Sequence, residues 1–341
     1  MPEKTDSEIV QYCFTFLNDS CIREQSGTKK AVLYFLISVL IAMTIGGNMT
    51  VITAITHFRQ LHSPTNFLIL SLAFGDFLVG AIVMPFSMIN TVENCWYFGD
   101  IFCFLSASFE AALTTISILH LIFIAVDRYF AICDPLLYNQ KITNSVISMF
   151  IAFSWVAPQA YAYSFVFYNL VRNTDGIVVS KNFCTGSCII TWTAKASAMD
   201  ASVSFFIPCS VMLGLYVRVF LVARQHSKLI SIMEHGISGK EMTSTQRKEG
   251  KAAKTLTIVM GMFLFCWLPI FVVLLVDPYI EYSTPVMLYN ILLWLAYSNS
   301  AYNPIVYAFF YPWFQKALKL MVAGKIFNKD SSSADLFSEL N

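Results

Sequence analysis

Long apolar runs separated by short polar stretches dominate the chain. Seven stand out: Ala31–Thr56, Asn66–Ile89, Phe102–Cys133, Ser145–Phe167, Thr193–Ala223, Glu249–Val276 and Thr284–Phe310. A helix rises ~1.5 Å per residue, so about 20 apolar residues cross the ~30 Å hydrocarbon core of a bilayer. Each run reaches that length, and the third, fifth and sixth exceed it. Pro85, Pro158, Pro208, Pro269 and Pro304 interrupt five runs, which a membrane helix tolerates because its neighbours re-satisfy the freed backbone groups. Past Tyr311 the pattern changes. In PWFQKALKLMV, Trp313, Phe314, Ala317, Leu318 and Met321 share one face and lysines oppose them, as in an interfacial helix. The pattern predicts an all-α membrane protein. A polar tail covers 1–30, a seven-helix transmembrane bundle 31–310, and a short amphipathic helix with a second tail 311–341.

Composition strengthens that reading. Of 341 residues, 57% are hydrophobic and only 13% charged, where a soluble domain carries about 25% charged residues. A net charge of +1 says little about partners, and with no basic face outside the inner loops nothing suggests nucleic acid. Residues 1–30 hold no apolar core for a cleaved leader, so the first run is expected to direct its own insertion. The linker Arg224–Lys254 holds Arg224, Lys228, Lys240, Arg247, Lys248, Lys251 and Lys254, and the tail holds Lys316, Lys319, Lys325 and Lys329. Basic loops stay inside, so both are expected in the cytoplasm of a plasma-membrane protein, with the N-terminus outside. Asn18-Asp19-Ser20 then lies outside and fits the glycosylation rule. Asn48-Met49-Thr50 also fits but lies inside the first run. No HExxH, GxSxG or phosphate-loop pattern occurs, so no enzyme is expected.

The candidate chemistry gathers on the third run. Cys103 stands near one end, Glu110 two turns further in, and Asp127-Arg128-Tyr129 at the other end. Glu110 and Arg128 are about 27 Å apart along a helix axis. Charge within a membrane is costly and usually functional. Glu110 is therefore read as an anchor for a cationic ligand; the alternative is a structural acid satisfied by a tyrosine such as Tyr297. Asp76 has Ser117, Asn299, Ser300 and Asn303 as expected polar neighbours, which suits a hard cation or a plain hydrogen-bonded network. Asp200, eight residues before Pro208 on the outer half of the fifth run, is read as a second acid within a span, or as an interfacial acid paired with Lys195. His120 has no identifiable partner and reads as bundle filler. Cys13, Cys21, Cys95, Cys103, Cys184 and Cys188 fall outside, while Cys133, Cys209 and Cys266 are expected free. Six cysteines allow fifteen pairings, and the residues alone leave the choice open.

Seven runs with Asn48, Leu72-Ala73 and Asp76, Asp127-Arg128-Tyr129, Trp155, Pro208 with Tyr216, Cys266-Trp267-Leu268-Pro269 and Asn303-Pro304-Ile305-Val306-Tyr307 resemble a rhodopsin-class G protein-coupled receptor. Within that class, Asn299–Phe314 (NSAYNPIVYAFFYPWF), Leu61–Leu68 (LHSPTNFL) and Glu93–Gly99 (ENCWYFG) resemble trace amine-associated receptors. The resemblance implies a small amine ligand, a stimulatory G protein raising cAMP, and chemosensory expression. It places Glu110 at the amine, with Asp200, Thr114, Ser204, Trp267, Ile270, Phe271, Trp294 and Tyr297 around it. It has Asp127 and Glu249 restraining Arg128, Leu136 packing on the G protein, and Tyr129, Tyr216, Asn303, Pro304 and Tyr307 serving activation. It implies Na⁺ at Asp76, Ser117 and Asn299, with no other cofactor. It also implies Cys103–Cys188, Cys13–Cys184 and Cys21–Cys95. Two positions depart from the family. Glu110 stands where an aspartate is usual, and Ile270 where amine pockets often carry an aromatic. With Glu110 and Asp200 both facing the cavity, an aliphatic di- or polyamine of the putrescine or cadaverine type fits best; the alternative is a monoamine, with Asp200 structural. A transporter using Asp76, Glu110 and Asp200 as an ion path would show an inverted repeat, and the sequence has none. A peptide or lipid receptor would not need an acid at position 110.

Overall fold

Apolar residues ring the first helix instead of striping it, and this decides where the helix can sit. On α1 (Gly27–His57) the side chains of Val32, Phe35, Leu36, Val39 and Met43 are exposed. Water would penalise that surface; hydrocarbon would not. The computed structural model describes residues 12–16, 20–23, 27–172, 184–188, 190, 192–236, 244–328 and 331–337. After α1 come α2 (Pro64–Glu93), α3 (Asp100–Cys133), the short α4 (Pro135–Lys141) and α5 (Asn144–Arg172). α6 is continuous through Ala194–Ala201, Ser202–Phe206 and Ile207–Gly236, and α7 (Ser244–Val276), α8 (Val286–Phe310) and α9 (Pro312–Val322) follow. Among the described residues there is no strand, only the isolated bridges Tyr12–Ile22 and Ser20–Thr185.

Six of the seven long helices are apolar enough to cross a membrane. The seventh, α8, has the length, at 25 residues, but carries Ser298, Asn299, Ser300 and Asn303. All four are buried. Its polar groups therefore face the other helices and not lipid, which completes the seven-helix bundle. The linker expected over Arg224–Lys254 is helical at both ends, because α6 runs on to Gly236 and α7 starts at Ser244.

α2 and α6 each contain one π turn, Val79–Val83 and Ser202–Phe206, two residues before Pro85 and Pro208. Proline has no N–H and crowds the carbonyl four residues back; a wider turn absorbs that conflict. In α6 the extra residue rotates the segment bearing Asp200 against the rest of the helix. Close helix approach depends on glycine at two points. A Cβ on Gly47 would stand 3.0 Å from Pro304, and one on Gly80 2.8 Å from Thr44. α9 has the expected amphipathic form, with Trp313, Phe314 and Ala317 buried. Leu336 joins the same core, its backbone N–H donating to Gln60 Oε1 at 2.8 Å.

The disulfide pattern corrects one expectation. Cys103–Cys188 forms as the resemblance implied, but the other two pairs are Cys13–Cys95 and Cys21–Cys184. The cause is local backbone pairing. Cys21 N–H donates to Thr185 O at 3.0 Å, which brings Cys21 to a Cα–Cα distance of 4.8 Å from Cys184, well within disulfide reach. Cys13 is left beside Cys95, at 5.7 Å. Cys133, Cys209 and Cys266 are free thiols. Because a bonded pair acts as a unit, Cys13→Ser and Cys95→Ser should lower the melting temperature of detergent-purified protein equally, with the double variant no worse. Cys13→Ser combined with Cys21→Ser should lose more than either alone. Additive losses for Cys13 and Cys95 would contradict this pairing.

Candidate ligand-binding site

Four helices supply the predicted pocket residues: α3 gives Glu110 and Thr114, α6 Asp200 and Ser204, α7 Trp267, Ile270 and Phe271, and α8 Trp294 and Tyr297. Glu110 interacts with the Tyr297 hydroxyl, which also lies 3.0 Å from Ser87 Oγ. Tyr297 is thus the partner foreseen in the structural reading of Glu110. Thr114 turns its hydroxyl back to the Glu110 carbonyl at 3.0 Å. Asp200 accepts hydrogen bonds from Tyr161 Oη at 3.3 Å and Ser204 Oγ at 3.1 Å, both on Oδ1. Lys195 is exposed, and among the described residues it makes no ion pair with Asp200. No cation meets Glu110 or Asp200 among the described residues.

Aromatic rings from the same helices pack on one another. Phe205 stacks on Phe271 with centroids 4.1 Å apart and planes 10° apart, and Trp267 lies 6.1 Å from Phe271. Ile270 packs in the same cluster. Trp294 meets Tyr297 edge-on at 5.2 Å and donates its indole N–H to Thr91 Oγ1 at 3.1 Å, tying α8 to α2.

Deeper in, Asp76 accepts from Ser300 Oγ at 2.8 Å and Asn303 Nδ2 at 2.7 Å. Ser117 and Asn299 are buried too, but among the described residues neither bonds to Asp76. His120 is not filler. Its Nδ1 lies 2.8 Å from Ile116 O and its Nε2 2.8 Å from Ser71 Oγ, which also accepts the Trp155 indole N–H at 2.9 Å. Burial makes such partners necessary for an imidazole.

At the opposite end Arg128 Nε donates to Asp127 Oδ2 at 2.8 Å, and Nη2 to Thr65 Oγ1 at 2.5 Å. Asp127 is fully buried and also accepts from Thr65 at 2.9 Å and Tyr138 at 2.9 Å. Burial raises the Tyr138 phenol above its ordinary pKa, so it remains a donor at neutral pH. The Tyr216 hydroxyl is buried and has no hydrogen-bond partner among the described residues. Tyr129 packs edge-on against Phe130, and Pro304 and Tyr307 lie buried on α8. Leu136 on α4 is 91% exposed. The Glu249 side chain and Asn18 lie outside the described residues. Thr65, Tyr138 and Tyr161 were not singled out in the sequence. Their partners lie 39 to 63 residues away for the most part, so no local spacing marks them.

The family described as "7 transmembrane receptor (rhodopsin family)" matches residues 47–307. The chain is 46% identical to mouse "Trace amine-associated receptor 4" over 341 residues, covering 98% of both proteins. It is 44% identical to human "Trace amine-associated receptor 1" over 338 residues, 98% of this chain and 100% of the relative. Zebrafish "Trace amine-associated receptor 13c" is 44% identical over 331 residues, 96% of each. The chain belongs to the trace amine-associated receptors of the rhodopsin family. It is therefore a membrane receptor and not an enzyme.

Two donors from outside α3, Thr65 and Tyr138, support the Asp127–Arg128 pair. Truncating either support leaves the buried carboxylate with fewer donors, at a cost of about 1–3 kcal/mol. Thr65→Val should raise agonist-free nucleotide exchange on the partner G protein severalfold at matched receptor density. An unchanged basal rate would show that these bonds do not hold the resting state.

Proposed function

We propose that the protein is a plasma-membrane receptor for small amines, its N-terminus outside, that prefers short aliphatic diamines and signals through a stimulatory G protein to raise cAMP. One observation carries this reading: Glu110 and Asp200 stand on facing helices with hydroxyl partners only. Both carboxylates are half-buried within membrane-length helices, where a charge is expensive unless a cation meets it, and among the described residues none does. An ammonium ion supplies both the charge and the hydrogen-bond donors each acid lacks. A monoamine serves one acid and leaves the other; a flexible diamine serves both. Phe271, Trp294 and Tyr297 offer π faces to an ammonium, worth ~0.5–2 kcal/mol each. Ile270 presents an alkyl wall where an aromatic would favour a ring, which supports an aliphatic chain. The names of the relatives, trace amine-associated receptors, agree with the amine class.

Activation follows from competition. An ammonium at Glu110 replaces its contact with Tyr297 and so changes how α3 meets α8. A ligand shifts a conformational equilibrium only by its differential affinity for the two states. At the far end of α3, Arg128 freed from Asp127 has a ready partner in the orphan Tyr216 hydroxyl, and the exposed Leu136 offers the G protein an apolar contact. Ser300 and Asn303 give the Asp76 carboxyl neutral donors only. Oxygen ligands from Asp76 and the buried Ser117 and Asn299 would suit Na⁺ in the resting bundle.

A monoamine ligand is the second reading, favoured by the two hydroxyl donors that already serve Asp200. The readings separate in a cAMP assay at matched surface expression. Glu110→Gln should weaken every amine at least about tenfold, the size expected for a charge-assisted hydrogen bond. Asp200→Ala should weaken diamines strongly and spare a monoamine of equal chain length. Equal losses for both would make Asp200 structural, and a wild-type preference for phenethylamine over every diamine would reject the diamine reading.

A further inference from the structure

We propose that Tyr161 on α5 is a positioning residue that aims the open carboxylate oxygen of Asp200 at the distal ammonium of the ligand, and so sets the preferred chain length. This rests on the diamine reading above. The geometry is asymmetric. Both hydroxyl donors land on Oδ1, from Tyr161 at 3.3 Å and Ser204 at 3.1 Å. Oδ2 has no partner among the described residues, although a carboxylate accepts about four hydrogen bonds. One oxygen is held and the other is open among the described residues.

The two donors do different work. Ser204 lies one turn along the same helix, so it moves with Asp200 and cannot fix that side chain relative to the bundle. Tyr161 comes from another helix and can. Its ring is itself fixed: it stacks on Phe165 with centroids 5.7 Å apart and planes 21° apart. Phe165, 8% exposed, in turn packs on Trp192 at 5.0 Å. Two rings in a row thus hold one phenol, and the phenol clamps one carboxylate oxygen. The π turn at Ser202–Phe206 sets the rotation of α6 that lets Asp200 reach across to α5. With the carboxylate held at one angle, Oδ2 stands at a set distance from Glu110, and the ligand's two nitrogens must match it. In a monoamine complex Asp200 keeps the partners it has in the free receptor, so the clamp leaves monoamine affinity alone.

Tyr161→Phe keeps the ring stack and removes only the clamp. Potencies of linear α,ω-diamines of three to eight carbons, and of the monoamines of equal length, are read as cAMP responses in cells expressing the full receptor. Diamine-to-monoamine ratios taken within each variant cancel differences in expression. Tyr161→Phe should lower the ratio at the optimum length about tenfold, flatten the optimum across neighbouring lengths, and change monoamine potency less than about twofold. Ser204→Ala should lower the ratio and leave the length optimum sharp. Asp200→Asn should abolish the preference. If Asp200→Asn abolishes it while Tyr161→Phe leaves ratio and optimum intact, the clamp is overturned and the diamine reading stands. Equal loss of both ligand types in Tyr161→Phe would also overturn the clamp, as a packing defect. If Asp200→Asn leaves the preference unchanged, the diamine reading fails and the clamp with it.

Discussion

The cost of holding charge in a low-dielectric interior governs this structure. Asp76, Glu110, Asp127 and Asp200 all lie within membrane-length helices, and a charged side chain there costs a few kcal/mol or more. Each meets at least one donor, but the four are satisfied differently. Asp127 has a guanidinium and two hydroxyls. Asp76 has a hydroxyl and an amide. Glu110 and Asp200 have hydroxyls only. The ranking separates three levels: a paired acid at one end, a polar network in the middle, and two acids with no cationic partner among the described residues toward the other end.

α3 links these levels. Its first turns are tied by Cys103–Cys188, its middle bears Glu110, and its far end bears the Asp127–Arg128 pair. A rigid helix anchored at one end transmits a change at Glu110 to its other end only by shifting or turning against its neighbours. The polar face of α8, which carries both the partner of Glu110 and the partners of Asp76, is the surface against which that movement occurs. At the disulfide end, Glu93 gathers Arg23, Lys30 and the Tyr34 hydroxyl. With Cys13–Cys95 and Cys21–Cys184, this fastens the described part of the N-terminal tail beside the pocket helices.

What the sequence made legible follows from periodicity and local chemistry. Seven apolar runs and the amphipathic face of α9 could be read, because hydrophobic length and residues one turn apart encode them; of the four polar neighbours expected for Asp76, Ser300 and Asn303 bond to it. Three things could not. Disulfide partners depend on which loop strands pair, and a backbone bond from Cys21 to Thr185 is invisible in spacing. His120, Thr65, Tyr138 and Tyr161 meet partners on other helices, and rotation between helices is set by packing. The π turns before Pro85 and Pro208 change the face on which later residues fall, so a regular helical wheel misplaces the outer half of α6. α8 shows the converse: its low hydropathy looks unsuited to lipid until its polar residues prove to be buried.

The central claim is that one ligand satisfies both unpaired acids. Its most direct test is the structure of the receptor with 1,5-diaminopentane bound, determined by cryo-electron microscopy in complex with a G protein. The account predicts one ammonium nitrogen about 2.7–2.9 Å from a Glu110 oxygen and the other at the same distance from Asp200 Oδ2. A diamine anchored at Glu110 with its second nitrogen in solvent, and Asp200 still held only by Tyr161 and Ser204, would contradict it.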